Sequence, residues 1–278
     1  MTRPRTPSPA HRVGTVVLVV LCLSFLVPLV VMAVTALRSA ADVARHPLGL
    51  PVHPTWANLR DVARQVHLER SVVSTALVTL ASCVLVTGLA ALASYPLGRL
   101  TAAWSTLAYR LFALGALLPV FVVLAPLYLL LRDLHLLDTR AGLVLVYTAV
   151  NLPVAVFCYT TFVRTIPAEL DDAAACDGCG ALRTFVSVIV PLLRPVTGVF
   201  VLFVSLQVWN DLVAPLVLLG DPGRRTLMAN AYALVDPYHL DAARLCAAAL
   251  LGFAPVLAVF LLLRGQVVDR IAAAAVTA

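Results

Sequence analysis

Two groups of side chains in this sequence have types and spacings that could do chemistry. Glu169, Asp171 and Asp172 place three carboxylates close together, as general acid–base catalysis requires. Cys176 and Cys179 have the Cys-x-x-Cys spacing of redox and zinc sites. A zinc site needs a second ligand pair, which is missing, and acidic residues are ordinary at the start of a surface helix. We therefore predict no catalytic residue, no metal site and no cofactor.

Composition excludes further classes of protein. Of the 278 residues, 62% are hydrophobic and only 12% are charged, so lipid is the expected solvent for much of the surface. All basic residues are Arg. The absence of Lys excludes a P-loop ATPase and Schiff-base chemistry, because both need a Lys amine. Nucleic-acid binding is also excluded by composition, and the net charge of +6 suits a membrane protein facing anionic lipid.

The polar residues must be held in place by six apolar stretches of the chain. Each is long enough to span a bilayer as a helix, and none shows the strict alternation of a membrane β-strand. We predict an all-α polytopic membrane protein with six transmembrane helices, a tail at 1–12, a membrane domain at 13–264 and a second tail at 265–278. Arginines divide evenly between the two sides, so the positive-inside rule leaves the orientation open. The six predicted spans are 13–37, 71–95, 107–131, 141–163, 194–219 and 243–264.

Two segments outside the predicted spans carry local structure. The loop 38–70 contains a possible surface helix from Thr55 to His67, with Trp56 as an interfacial anchor. The loop 164–191 predicts a helix–turn–helix, with Pro167 in its first turn, Gly178 as a left-handed stop and a second helix from about Ala181 to Pro191. An ordered, acidic, alanine-rich element between two spans is typical of a docking surface.

The same loop contains a spaced motif. Asp172-Ala173-Ala174 is followed after three residues by Gly178, and after nine more by Val188-Ile189-Val190-Pro191. It resembles the signature of permease subunits of ATP-binding cassette importers: Glu-Ala-Ala, three residues, Gly, nine residues, Ile-x-Leu-Pro. The substitutions keep charge or apolar character.

Further segments narrow the resemblance to the carbohydrate-uptake branch, and to the smaller permease subunit of the maltose importer in particular. They are Pro126-Leu127-Tyr128, Leu136-Leu137-Asp138-Thr139, Ile166-Pro167-Ala168-Glu169-Leu170, Trp209-Asn210-Asp211, Pro215-Leu216 and Thr226-Leu227.

The resemblance implies a function. In this family the signature loop is cytoplasmic and fits a cleft on an ATPase subunit. Both termini and 164–191 would then be cytoplasmic, 38–70 would lie outside, and the chain would reside in the inner, cytoplasmic membrane. The expected partners are a second permease subunit, two ATP-binding subunits and an extracytoplasmic solute-binding protein. The implied coupling residues are Glu169, Asp172, Ala173, Ala174, Asp177, Gly178 and Pro191.

The solute path is less determined by the sequence. Asn151, Gln207, Trp209 and Asn210 are candidates, because polar groups at membrane depth usually face a cavity or the bundle interior. Hydrogen bonding between helices explains each of them equally well. The solute would be a sugar, an oligosaccharide, a polyol or a glycerol phosphate, since importers of all four share these motifs. An integral membrane enzyme and a secondary transporter are the alternatives, although no catalytic constellation and no internal repeat supports them.

Overall fold

The computed structural model describes residues 9–47, 49–51, 53–235 and 241–258, and within these ranges the chain forms helices and no strands. The helices are α1 (Pro9–Ala36), α2 (Ala40–Arg45), α3 (Ala57–Gln65), α4 (Leu68–Arg99), α5 (Ala103–Gly115), α6 (Val120–Asp133), α7 (Arg140–Thr165), α8 (Glu169–Cys176), α9 (Ala181–Thr184), α10 (Val190–Leu192), α11 (Arg194–Asn210), α12 (Val213–Leu218), α13 (Leu227–Tyr232) and α14 (Ala242–Ala258). The predicted all-α class is confirmed.

Three helices are each long and apolar enough to cross a membrane: Val17–Ala36 within α1, then α4 and α7. Two bent pairs, α5 with α6 and α9–α10 with α11, bring the number to five if each pair is one span. The described part of the sixth predicted segment is α14, which is shorter, and residues 259–278 lie outside the described residues. Each of the six predicted segments therefore contains helix where it is described, and two of them are interrupted.

The predicted span 107–131 is present as two helices separated by a sharp bend. Helix α5 ends at Gly115, α6 begins at Val120, and the two axes differ by 105°. Pro119 explains the break, since it lacks an N–H and pushes the preceding residue out of the helical region. Its ψ of 134° is extended.

The predicted helix 194–219 is also interrupted. Helix α11 ends at Asn210 because Asp211 is extended, with ψ 131°. The Asp211 carboxylate then accepts a hydrogen bond of 3.0 Å from the Val213 N–H at the start of α12. One predicted span is therefore two helices, with a hydrogen bond from the Val213 N–H to the Asp211 side chain at the junction.

The chain forms two compact units, 1–68 with 231–278 and 69–230. In the first unit, Arg38 is 1% exposed and donates to the Asp42 carboxylate at 2.7 Å and to the His46 carbonyl at 2.7 Å. The Asn58 amide donates to the carbonyls of Ala36 and Arg38, which ties α3 to the end of α1.

The hydrogen bond from the Arg38 guanidinium holds the pKa of the Asp42 carboxyl below its usual range. A carboxyl whose pKa is depressed by folding stabilises the folded state above the unfolded pKa. That stabilisation is lost as the pH falls through the folded pKa.

Helix α3 confirms the surface helix predicted in the loop 38–70, and Trp56, immediately before it, is 68% exposed.

The second unit, 69–230, has a membrane-type distribution of side chains. On α4 the buried face carries hydroxyl groups and the opposite face carries exposed aliphatic groups, as expected where lipid replaces water. The buried residues include Ser71, Ser74, Thr75, Thr79 and Ser82, and the exposed ones include Val73, Leu77, Leu80 and Val84.

Helices α4, α7 and α11 enclose the core of this unit. Tyr159 of α7 is fully buried and packs edge-on against Phe200 of α11, with ring centroids 5.6 Å apart. Near the end of α4, a Cβ added to Gly98 would lie 2.6 Å from the Val163 side chain of α7. Glycine at position 98 therefore permits the C-terminal ends of α4 and α7 to pack closely together. Helix α8 follows α7 in the chain.

Candidate functional site

Helix α8 is built by local rules that the sequence shows. Ile166 is extended, with ψ 124°, because Pro167 follows it, and this ends α7. Glu169, Asp171 and Asp172 then place negative charge in the first turn of α8, where the helix dipole favours it. The predicted first half of the helix–turn–helix is present as Glu169–Cys176.

Gly178 closes α8 with a Schellman motif. Its φ is +77°, the left-handed region that glycine enters without strain. The Gly178 N–H donates to the Ala175 carbonyl at 3.0 Å, and the Cys179 N–H donates to the Ala174 carbonyl at 2.9 Å. The angle between the two halves of the element is therefore set by backbone bonds around one glycine.

The second half runs from Ala181 to Leu192 and contains a π-helical turn at Phe185–Ile189. Phe185, Ile189 and Leu193 are buried, so this half packs into the core of the unit. It bends by 68° into α11. The predicted second helix is present, and the π turn is the feature that its sequence did not predict.

Helix α8 is anchored to the end of α4 by a cluster of three side chains, which we call the α8 anchor: Tyr95, Arg99 and Asp171. The Tyr95 hydroxyl donates to one oxygen of Asp171 at 2.7 Å, and the Arg99 guanidinium lies 2.8 Å from the other. The same guanidinium donates to the Ile166 carbonyl at 2.8 Å. Arg99 and Asp171 are 18% and 21% exposed, so water screens this pair only partly.

Sequence reasoning missed this anchor. In the sequence Asp171 is one of several charges at the start of a helix, and neither Tyr95 nor Arg99 stands out. Their spacing of four residues on one face of α4 was an available signal. The partner across the chain could not be read from that spacing.

The predicted coupling residues fall into an exposed group and a buried or half-buried group. Glu169, Asp172, Ala173, Asp177 and Gly178 are exposed. Ala174 is buried and Pro191 is half-buried. Because Ala173 and Gly178 have little or no side chain, the exposed surface lets another protein approach the backbone closely. The element can serve as a rigid contact surface.

A second polar group lies in unit 69–230 at Asp211. The Tyr147 hydroxyl donates to Asp211 Oδ2 at 2.8 Å, while Asp211 Oδ1 accepts the Val213 N–H. These residues line a cavity of about 240 Å³. The other lining residues are Val120, Phe121, Leu124, Val146, Val150, Gln207, Asn210 and Ala214.

Two of the predicted path residues share this cavity. Gln207 and Asn210 line it, and Gln207 Oε1 is buried with no hydrogen-bond partner. Asn151 lies outside the lining, where its amide donates to the Tyr147 carbonyl at 2.8 Å. Trp209 also lies outside the lining. Their role in a solute path stays a prediction.

The two cysteines next to the turn are unpaired. Cys176 is exposed and Cys179 is partly exposed, and both carry free thiols. Among the described residues, no group of three or more His, Cys, Asp or Glu side chains could hold a metal ion.

Comparison with known proteins identifies similar permease subunits. Residues 89–273 match the family model of the binding-protein-dependent transport system inner membrane component. A putative ABC transporter permease of Streptomyces antibioticus is 34% identical over 82% of this chain and 99% of its own length. The diacetylchitobiose uptake system permease NgcG of Streptomyces coelicolor is 29% identical over 88% and 82%.

Two further matches cover nearly the whole chain. The melibiose/raffinose/stachyose import permease MelC of Bacillus subtilis is 27% identical over 99% of both chains. A solved bacterial ABC transporter involved in import of the polysaccharide alginate contains a chain with the same fold, with a TM-score of 0.76, 20% identity and coverage of 94% and 99%. The chain therefore belongs to the binding-protein-dependent transport system inner membrane components and is a multi-pass permease subunit of an ATP-binding cassette transporter.

Proposed function

We propose that this chain carries a sugar, oligosaccharide or related polyol inward across the cytoplasmic membrane. It acts as one of two permease subunits, with two separate ATP-binding subunits and an extracytoplasmic solute-binding protein. The names of its relatives support this solute class, since they include uptake systems for diacetylchitobiose and for melibiose, raffinose and stachyose. In this role the chain itself performs no chemical reaction.

The observation that carries the proposal is the anchored helix–turn–helix at 169–192. Helix α8 is held to α4 by the α8 anchor and follows α7 after a short connection. The second half of the element continues through one bend into α11. A displacement of α8 by a docked ATPase would therefore reach three spans as a rigid-body movement.

Orientation follows from counting the crossings. If α1, α4, the α5–α6 pair and α7 each cross once, the chain returns to its starting side before α8. The docking element must face the compartment that holds the ATPase. The N-terminus is then cytoplasmic and 38–70 faces the outside. Two further crossings, by the bent pair of α9–α10 with α11 and by the sixth predicted span, return the C-terminus to the cytoplasmic side.

Docking is tested by placing a large side chain on the exposed surface of α8. Ala173 is exposed, so Ala173→Trp leaves the core of the element intact but prevents close approach of a partner. We expect the tagged chain to lose about nine-tenths of its co-purifying ATP-binding subunit, since overpacking a closely fitted contact costs about 1–3 kcal/mol.

Ala141→Trp is the matched control, because Ala141 is an exposed alanine at the beginning of α7. It should retain the ATP-binding subunit. Equal recovery of that subunit with Ala173→Trp and with the parent chain would contradict docking at α8.

A further inference from the structure

The cavity beside Asp211 combines aromatic surface suited to a sugar ring with one charged group. Phe121 and Tyr147 provide aromatic surface, and aliphatic side chains fill most of the remaining lining. Its single formally charged side chain is Asp211. The lining contains no Arg, although the chain has twenty basic residues.

Most polar groups of the lining are engaged with one another or with the backbone. The Tyr147 hydroxyl proton is engaged by Asp211, and the Asn210 amide nitrogen donates to the Leu206 carbonyl at 2.8 Å. Gln207 Oε1 is a buried acceptor with no partner. A buried acceptor without a partner is costly, and a rotation of the Gln207 side chain would let it accept a hydrogen bond from a donor in the cavity.

Those features select among solutes. Hydroxyl groups donate hydrogen bonds, whereas carboxylate, sulfonate and phosphate groups accept them and carry negative charge. An anion entering the cavity would face the Asp211 carboxylate across a low-dielectric, mostly apolar lining, where repulsion is stronger than in water.

We propose that this cavity is a solute subsite for uncharged polyhydroxylated compounds, and that Asp211 is the residue that excludes anions from it. The inference rests on the proposed transport function and names its substrate class. Tyr147 is a positioning residue, because its hydroxyl holds the Asp211 carboxylate. Val213 completes the same orientation through its backbone N–H.

The preference of the cavity for cations over anions can be measured from the rates of thiol modification, with no transport assay. Phe121 lines the cavity and is 72% exposed, so Phe121→Cys places a thiol there with little effect on packing. The assembled transporter is treated with methanethiosulfonates that carry a trimethylammonium, a sulfonate or a neutral group. The reaction of the parent's own cysteines is subtracted.

We expect the cationic reagent to react faster than the anionic one, and the ratio of their rates to fall about tenfold when Asp211→Asn is added. Loss of one charge changes the local concentrations of cation and anion in opposite directions. Asp133→Asn is the control for net charge, since Asp133 is 65% exposed and lies outside the lining. It should leave the ratio unchanged.

The rate with the neutral reagent reports whether the cavity still forms. If Asp211→Asn alters that rate, the comparison is made in the charge-intact protein between Phe121→Cys and Leu117→Cys, whose side chain is 77% exposed outside the lining. The cation-to-anion ratio should be higher at Phe121→Cys. Equal ratios there, or a ratio unaffected by Asp211→Asn, would overturn the proposal. If the chain did not transport a sugar, these ratios would be unaffected. The experiment therefore tests the anion-excluding cavity independently of the proposed transport function.

Discussion

Replacing Gly178 by Val should reduce ATP-driven uptake at least tenfold while the protein still inserts in the membrane. Gly178 has a φ of +77°, which costs a β-branched residue about 1–3 kcal/mol. No atom lies within 4 Å of an added Cβ, so the effect comes from the backbone and not from a clash. The strained turn would open and change the angle between α8 and α9. Uptake of radiolabelled solute by cells, normalised to membrane content, measures it.

Gly180 offers a matched control two residues along the chain. It also has open space around an added Cβ, but its φ of −74° is ordinary for any residue. Gly180→Val should keep most of the uptake. Equal losses from the two substitutions would show that the left-handed turn is not the requirement.

Breaking the α8 anchor should separate ATP hydrolysis from uptake. Asp171→Asn keeps the shape of the side chain but removes the charge that Arg99 pairs with, leaving Arg99 partly buried and uncompensated. Loss of the charge that compensates a partly buried guanidinium costs roughly 1–3 kcal/mol. A loosened α8 would still bind the ATPase but would transmit its movement poorly. We expect solute transported per ATP hydrolysed to fall about tenfold in reconstituted vesicles.

Asp133→Asn removes one partner of the Arg132–Asp133 pair, whose side chains are 58% and 65% exposed. Exposed pairs contribute about 0–1 kcal/mol, so this variant should keep the parental ratio of uptake to hydrolysis. The role assigned to the anchor is rejected if Asp171→Asn also keeps that ratio.

The parts of the molecule that were predictable are those built by neighbouring residues. Pro167, the acidic first turn and Gly178 specify α8 and its end through contacts within a few residues. Hydrophobic length likewise identified α1, α4 and α7. Local interactions of this kind need no knowledge of the rest of the fold.

The parts that were missed depend on distant partners. Tyr95 and Asp171 meet across 76 residues of sequence, and Tyr147 and Asp211 meet across 64. Nothing near Asp171 distinguishes it from Asp172, yet one is anchored and the other is exposed. The size of the bend before α6 was not predictable either: a proline inside a membrane helix usually produces a kink, whereas the two helices on either side of Pro119 differ by 105°.

The central claim is that this chain moves solute only when a docked ATPase drives it. The most direct test is solute uptake into vesicles that hold both permease subunits, both ATP-binding subunits and the solute-binding protein on the appropriate side. We predict uptake that requires ATP on the α8 side and disappears when the ATP-binding subunits are omitted. Uptake by the permease subunits alone, driven by an ion gradient without ATP, would contradict the account and indicate a secondary transporter.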